Sequence, residues 1–241
     1  MSALQRALSV LYPDQCLICR NLVDQPGALC PDCWRGVPFV QGHVCDACGA
    51  PLPGQGDGAA DHCDDCLTVA RPWDKGRAVM LYRDAGRRFV LALKHGDRTD
   101  LAGPAARWLT ERLRPLVECD AVVVPVPVHW SRLLRRRYNQ AAEIARAMGP
   151  LLGVPAVPDA LTRLRATAVQ DGLGIDARFA NVADAIVVAG AKRSALDGRT
   201  VILVDDVMTS GATLAAATTA CHDAGASRVI VGVLARAVRS P

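Results

Sequence analysis

Two groups of residues in this chain of 241 have the types and spacing to do chemistry. The first is the string Val201-Ile202-Leu203-Val204-Asp205-Asp206-Val207-Met208-Thr209-Ser210-Gly211-Ala212-Thr213. Its apolar start fits a strand buried in a parallel sheet, so that Asp205 and Asp206 emerge at the carboxyl end, where open α/β sheets bind ligands. A Thr-Ser-Gly turn entering a helix presents backbone N–H groups at the positive end of the helix dipole, with hydroxyls as further donors. That chemistry suits a 5′-phosphate, and Gly211 lets the backbone come close to it. The adjacent carboxylates can accept hydrogen bonds from ribose hydroxyls and reach a Mg²⁺ directly or through water. An acidic turn that merely caps a helix would explain Asp before Thr-Ser-Gly, but not the whole string.

The second group is four CxxC pairs: Cys16/Cys19, Cys30/Cys33, Cys45/Cys48 and Cys63/Cys66, separated by 10, 11 and 14 residues. A CxxC folds as a tight knuckle that aims two thiolates at one ion, and two knuckles complete a tetrahedral zinc site. Eight thiols therefore predict two structural Zn²⁺ sites. Sequential pairing of neighbouring knuckles is the simpler assignment, and interleaved pairing stays open. His43 and His62 lie nearby but are not needed as ligands. The same stretch is rich in Gly, Pro and Asp, so it cannot bury an apolar core, and bound metal supplies the missing folding free energy.

The elements that must position these groups fall into two parts. Eight of the ten cysteines lie in residues 16–66, and the composition changes near residue 70. This predicts a zinc-ribbon-like domain over 1–70 and an α/β domain over 71–241. In the second part, β-branched runs at 77–82, 121–125, 186–188, 200–204 and 228–234 read as strands. Helical stretches at 101–116, 141–152 and 213–224 alternate with them, which points to a mainly parallel sheet. A short docking helix is expected over 4–11, and Cys119 and Cys221 read as small buried side chains.

Bulk properties exclude little. Lys and Arg exceed Asp and Glu by a net charge of +4, compatible with phosphate-bearing partners but too small to identify nucleic acid. No apolar run reaches bilayer length, and the N-terminus lacks a basic leader with a cleavage site. A cytoplasmic location is expected, where CxxC pairs are better explained by metal than by disulfides. The cluster Arg132, Arg135, Arg136 and Arg137, flanked by Trp130 and Tyr138, has the composition to meet nucleic-acid phosphates while an aromatic ring stacks a base. A solvated helix start, or an arginine serving pyrophosphate, explains it equally.

The thirteen residues from Val201 resemble the PRPP-binding signature of type I phosphoribosyltransferases. Further segments, in order, narrow the resemblance. They are Lys94-His95-Gly96-Asp97, Val124-Pro125-Val126-Pro127, Arg136-Arg137-Tyr138-Asn139-Gln140-Ala141, and Thr167, Gln170, Gly172 and Leu173 followed by Arg178, Asn181 and Val182. With the cysteine pairs in front, the chain is similar to the ComF/ComFC competence-associated proteins over nearly its full length. The resemblance implies a type I phosphoribosyltransferase fold behind a double zinc ribbon. It assigns Lys94, His95, Gly96 and Asp97 to pyrophosphate, and Asp205 through Thr213 to ribose phosphate. It makes Asp205, Asp206 and Lys94 the catalytic candidates, with Mg²⁺ accompanying PRPP. Arg137 departs from a common glycine, and Ser210 replaces a frequent threonine while keeping the hydroxyl. Two functions are then expected in competition. One is a phosphoribosyltransferase of unknown acceptor. The other is a PRPP- or nucleotide-sensing adaptor that holds single-stranded DNA or DNA-uptake proteins.

Overall fold

Apolar runs rich in valine and isoleucine become the strands of one parallel sheet. The structure, a computed structural model, describes residues 12–56, 59–95, 98–129, 138–165 and 174–238. Strands β1 (Lys75–Leu81), β2 (Val122–Pro125), β5 (Thr200–Met208) and β6 (Arg228–Arg236) pair in the order β1-β6-β5-β2, every pair parallel. All four residues of β2 are buried, as the continuous apolar run of a two-sided strand requires. A separate antiparallel pair joins β3 (Leu161–Arg163) to β4 (Ile186–Val188), with helix α6 (Ile175–Val182) between them in sequence.

Alternation along β5 divides the core. Ile202 and Val204 face one side with Phe89, Leu93, Leu109, Ile144 and Met148. These come from helices α3 (Asp84–His95), α4 (Ala102–Leu113) and α5 (Gln140–Leu152). Val201 and Leu203 face the other side with Leu214, Ala217 and Cys221 of α7 (Ala212–Asp223). The N-terminal segment contributes to that second layer, since Val40, Cys45, Cys48, Cys66 and Trp73 belong to the same buried cluster. Its backbone also meets β1, where Val40 N–H donates to the Val79 carbonyl at 2.9 Å and Leu81 N–H to that of Pro38 at 2.9 Å. So the loop-rich segment is ordered partly by the sheet's own core.

Most predicted elements appear with shifted ends. The helix predicted over 101–116 is α-helical only over Ala102–Leu113, with 3-10 turns at Thr99–Leu101 and Arg114–Leu116. Pro115 has no N–H to continue the ladder. Asn139 caps α5 by accepting from the Ala141 N–H at 3.0 Å, and Gly153 closes it at φ 72°. Helices α3 and α6 and strand β3 lie outside the predicted elements. Cys221 is fully buried, and burial pushes its thiol up to about 12. Cys119 is exposed in the turn before β2, correcting the expectation that it is buried. The helix expected over 4–11 lies outside the described residues.

Candidate functional site

The site begins where β2 stops. The last rung between β2 and β5 pairs Pro125 with Val204, whereas β5 continues against β6 through Asp205↔Val233, Val207↔Ala235 and Met208↔Arg236. This corrects the prediction that the strand ends at Val204. Pro125 and Pro127 bring no N–H to extend β2, so β5 keeps one neighbour and its acidic pair lies inside an ordered strand beside an open flank.

Asp205 and Asp206 differ in environment because successive strand residues face opposite sides. Asp206 is 9% exposed, and its Oδ1 lies 3.1 Å from Lys94 Nζ at the end of α3. Asp205 keeps part of its surface open, and its Oδ1 accepts the Asp206 N–H at 2.8 Å. Burial, then the neighbouring Asp206 charge, raise the Asp205 carboxyl to about 7, against the positive charges of Lys94 and Arg163. Arg163 sits on β3, an element whose three residues gave little signal to find it.

Beyond Met208 the chain turns through Thr209-Ser210-Gly211 into α7. Ser210 Oγ accepts the Ala212 N–H at 3.4 Å, and Gly211 takes the left-handed conformation, φ 81°, at the N-cap of α7. A side chain there would be strained by that conformation, and a Cβ would meet Arg71 Nη1 at 2.8 Å and the Trp73 ring at 3.1 Å. The turn encloses a hollow of ≈ 60 Å³ between Asp205, Thr209, Gly211 and Thr213, about the share of two water molecules and sized for a small oxyanion. Arg71 and Arg236 hold the turn from the opposite side through its carbonyls. Sequence reasoning missed both. An arginine at the end of an apolar strand, as Arg236 ends β6, was the available signal.

Residues 138–140 tie the mouth together. Tyr138 Oη donates to the Leu93 carbonyl at 2.6 Å, Asn139 Nδ2 to that of Val126 at 3.1 Å, and Gln140 Nε2 to that of Lys94 at 3.4 Å. Tyr138, expected beside nucleic acid, thus spends its hydroxyl on the turn that carries Lys94. His95 closes α3. Gly96 and Asp97, the arginines Arg132, Arg135, Arg136 and Arg137, and residues 167–173 lie outside the described residues. Val207, Met208 and Ala212 contribute backbone around the turn, and Met208 is 1% exposed.

The cysteines gather as two sets, Cys16, Cys19, Cys30 and Cys33, and Cys45, Cys48, Cys63 and Cys66, with ligand atoms in each set within 4.8 Å of one another. Pairing is therefore sequential. Each set joins one tight knuckle to one pair at a helix start: Cys30 caps α1 (Pro31–Gly36) by accepting the Cys33 N–H, and Cys63 precedes α2 (Asp64–Thr68) without a side-chain capping bond. Cys19 and Cys30 sulfurs lie 3.6 Å apart, as do those of Cys48 and Cys63. Tetrahedral zinc with Zn–S near 2.3 Å spaces its sulfurs about 3.8 Å apart, so both sets fit zinc-ribbon sites. Hydrogen bonds with Cys45 and Cys66 pull the Cys48 thiol far down, while hydrogen bonds with Cys45 and Cys48 push Cys66 far up. His43 is engaged elsewhere, its Nε2 2.7 Å from Asp61 Oδ2.

Residues 7–67 match the double zinc ribbon domain family, and residues 140–240 match the phosphoribosyl transferase domain family. Competence protein F of Haemophilus influenzae is 28% identical over 92% of this chain and 97% of its own. DNA utilization protein YhgH of Salmonella typhimurium is 29% identical over 92% of this chain and 89% of its own. Among solved structures, a glutamine PRPP amidotransferase from B. subtilis, complexed with ADP and GMP, aligns with 59% of this chain and 30% of its own. Its identity is 20% and its TM-score 0.39, a likeness too loose to carry argument.

Proposed function

We propose, from the premise that the chain belongs to the ComF family, which joins a double zinc ribbon to a phosphoribosyl transferase domain, that it binds PRPP or a related ribose 5-phosphate at the end of β5. The observation that carries this reading is the hollow at the Thr209-Ser210-Gly211 turn lying beside the Asp205–Asp206 pair, with Lys94 brought onto Asp206 from a distant helix.

In this reading the N–H groups of the turn and the start of α7 receive the 5′-phosphate, where the helix dipole favours an anion. Asp205 and Asp206 accept the ribose hydroxyls. Lys94 is held by Asp206 until pyrophosphate oxygens compete for its ammonium, which releases an Asp206 oxygen to the sugar. Gly96 and Asp97, which follow Lys94 and His95 in sequence, are assigned to the same pyrophosphate. Asp205 and Asp206 offer the hard carboxylate oxygens that Mg²⁺ takes, and that ion would neutralise pyrophosphate as it leaves C1. Positive charge fixed in an enclosed site stabilises the departing group more than it would in water.

The wider role belongs to the same proposal. The relatives' names speak of competence and DNA utilization, and this chain is inferred to serve the handling of imported DNA, with its two parts dividing near residue 70. Among the described residues no helix is long and apolar enough to cross a membrane.

Calorimetric titration of PRPP with Mg²⁺ tests the reading on wild type and on the Asp205→Asn/Asp206→Asn double variant. Binding by wild type, weakened at least tenfold in a folded double variant, is expected. Equal affinity in the two would remove the acidic pair from the site. Pyrophosphate release during the same titration, with candidate acceptors present, separates turnover from binding alone.

A further inference from the structure

The carbonyls of the phosphate turn are all held from one side. Arg236 Nη1 donates to the carbonyls of Met208 at 3.4 Å and Thr209 at 2.7 Å, and Arg71 Nη1 donates to that of Ser210. Within a trans peptide unit the C=O and the following N–H point in opposite directions. Fixing these three consecutive carbonyls toward the arginines therefore turns the N–H groups of Thr209, Ser210 and Gly211 away from them, the orientation a phosphate requires.

Both arginines also meet residues that flank the second cysteine cluster. Arg236 is 1% exposed, its Nη2 donates to Asp65 Oδ2 at 3.1 Å, and its guanidinium faces the Cys48 and Cys63 thiols. Arg71 lies 5.5 Å over the Trp73 ring, whose Nε1 donates to the Ala47 carbonyl at 2.5 Å inside the second knuckle. A divalent ion held by four thiolates keeps a net negative charge. A buried guanidinium needs such a partner, since a charge taken from water without one is strongly destabilising.

We infer that Arg71 and Arg236 are positioning residues that aim the turn's N–H groups at the ligand, with the Cys45/Cys48/Cys63/Cys66 cluster as their anchor, so that occupancy of that metal site governs ribose-phosphate affinity. The inference rests on the ribose-phosphate reading of the turn. It gives the second zinc site a task the first does not share, because the first cluster packs with Ile18, Val23 and Leu29 in a separate small core.

The test uses the full-length zinc-loaded protein with two variants, Arg71→Met and Arg71→Lys. Three quantities are read: zinc per chain, amide hydrogen exchange of residues 205–213, and affinity for PRPP with Mg²⁺. For Arg71→Met, exchange in the turn rises about tenfold and affinity falls about tenfold, while exchange in β2 is unchanged. Arg71→Lys recovers part of both. Opening the second cluster by Cys48→Ser, with one ion retained in the first, reproduces the exchange change. Loss of one zinc from Arg71→Met would itself support the linkage, read from the other end. Wild-type exchange and affinity in Arg71→Met would overturn the inference. Failure of wild type to bind PRPP, with exchange still raised in the variant, would instead remove the ligand reading and leave the linkage standing.

Discussion

Lys94 and Asp206 meet at the open flank of β5, the ammonium nitrogen 3.1 Å from a carboxylate oxygen, with side-chain exposures of 20% and 12%. The contact fixes the end of α3 against the strand that carries the acidic pair. It also leaves Asp206 with a partner that a ligand's pyrophosphate can take over.

Removing one member of this pair costs more than removing both. Lys94→Met leaves an enclosed carboxylate without its cation, and a loss of about 3 kcal/mol is expected. The Lys94→Met/Asp206→Asn double variant recovers about 1–2 kcal/mol of that in a double-mutant cycle by urea unfolding. Additive losses would mean that the two groups do not interact in solution.

The Asp205 carboxyl, raised to about 7 by burial and by Asp206, gives the ligand-free protein a pH dependence of known sign. The unfolded chain titrates this group near 3.9, so the folded state holds the proton more tightly. Its contribution is fully present below about pH 4 and is lost as pH rises through 7. Wild type should lose on the order of 2–4 kcal/mol through this group between pH 4 and 8. Asp205→Asn, which stays neutral, lacks that slope. Parallel stability profiles for the two proteins would contradict the assignment.

The two zinc sites should differ in what their loss does. Metal analysis of the wild type should give two ions per chain. Cys16→Ser opens a peripheral cluster, and its thermal midpoint should stay within about 5 °C of wild type. Cys48→Ser opens a cluster built into the core shared with Val201, Leu203 and Leu214, and it should lower the midpoint by more than about 10 °C, on the order of several kcal/mol. Equal effects of the two changes would argue against a shared core.

Close backbone approach binds the second knuckle to β1. Gly76 N–H donates to the Asp46 carbonyl at 2.7 Å, and a Cβ on Gly76 would lie 2.2 Å from the Ala47 carbonyl oxygen. Gly76→Ala must push the knuckle off the strand, so a loss of about 2–4 kcal/mol is expected in chemical unfolding. Gly103→Ala on α4, where a Cβ meets nothing within 4 Å, serves as the neutral comparison.

The local chemistry was legible before any fold was known. Four CxxC spacings announced tetrahedral zinc because a knuckle is set by a few neighbouring residues, and the Asp-Asp-Val-Met-Thr-Ser-Gly run announced a strand-to-helix anion turn for the same reason. Strand β4 was legible too, since the consecutive β-branched residues of Ile186–Val188 favour extended backbone. Helix α3 escaped notice because Phe89 to Leu93 is an unbroken apolar run with no helical period to show, and because glycine and charge dilute its first turn. Strand β3 has only three residues, too few for a period to show.

By itself, then, the sequence determined the chemical endowment of this protein: two thiolate clusters, an acidic pair, and a glycine-hinged turn before a helix. The tertiary structure alone decided that β5 runs on to Met208, that Lys94 rests on Asp206, that Arg71 holds the Ser210 carbonyl, and that Arg236 spans from Asp65 to the Thr209 carbonyl. Spacing encodes what neighbours along the chain can do together. Which strand ends first, and which carbonyl a long guanidinium reaches, depend on segments far apart in sequence that meet only when the core closes.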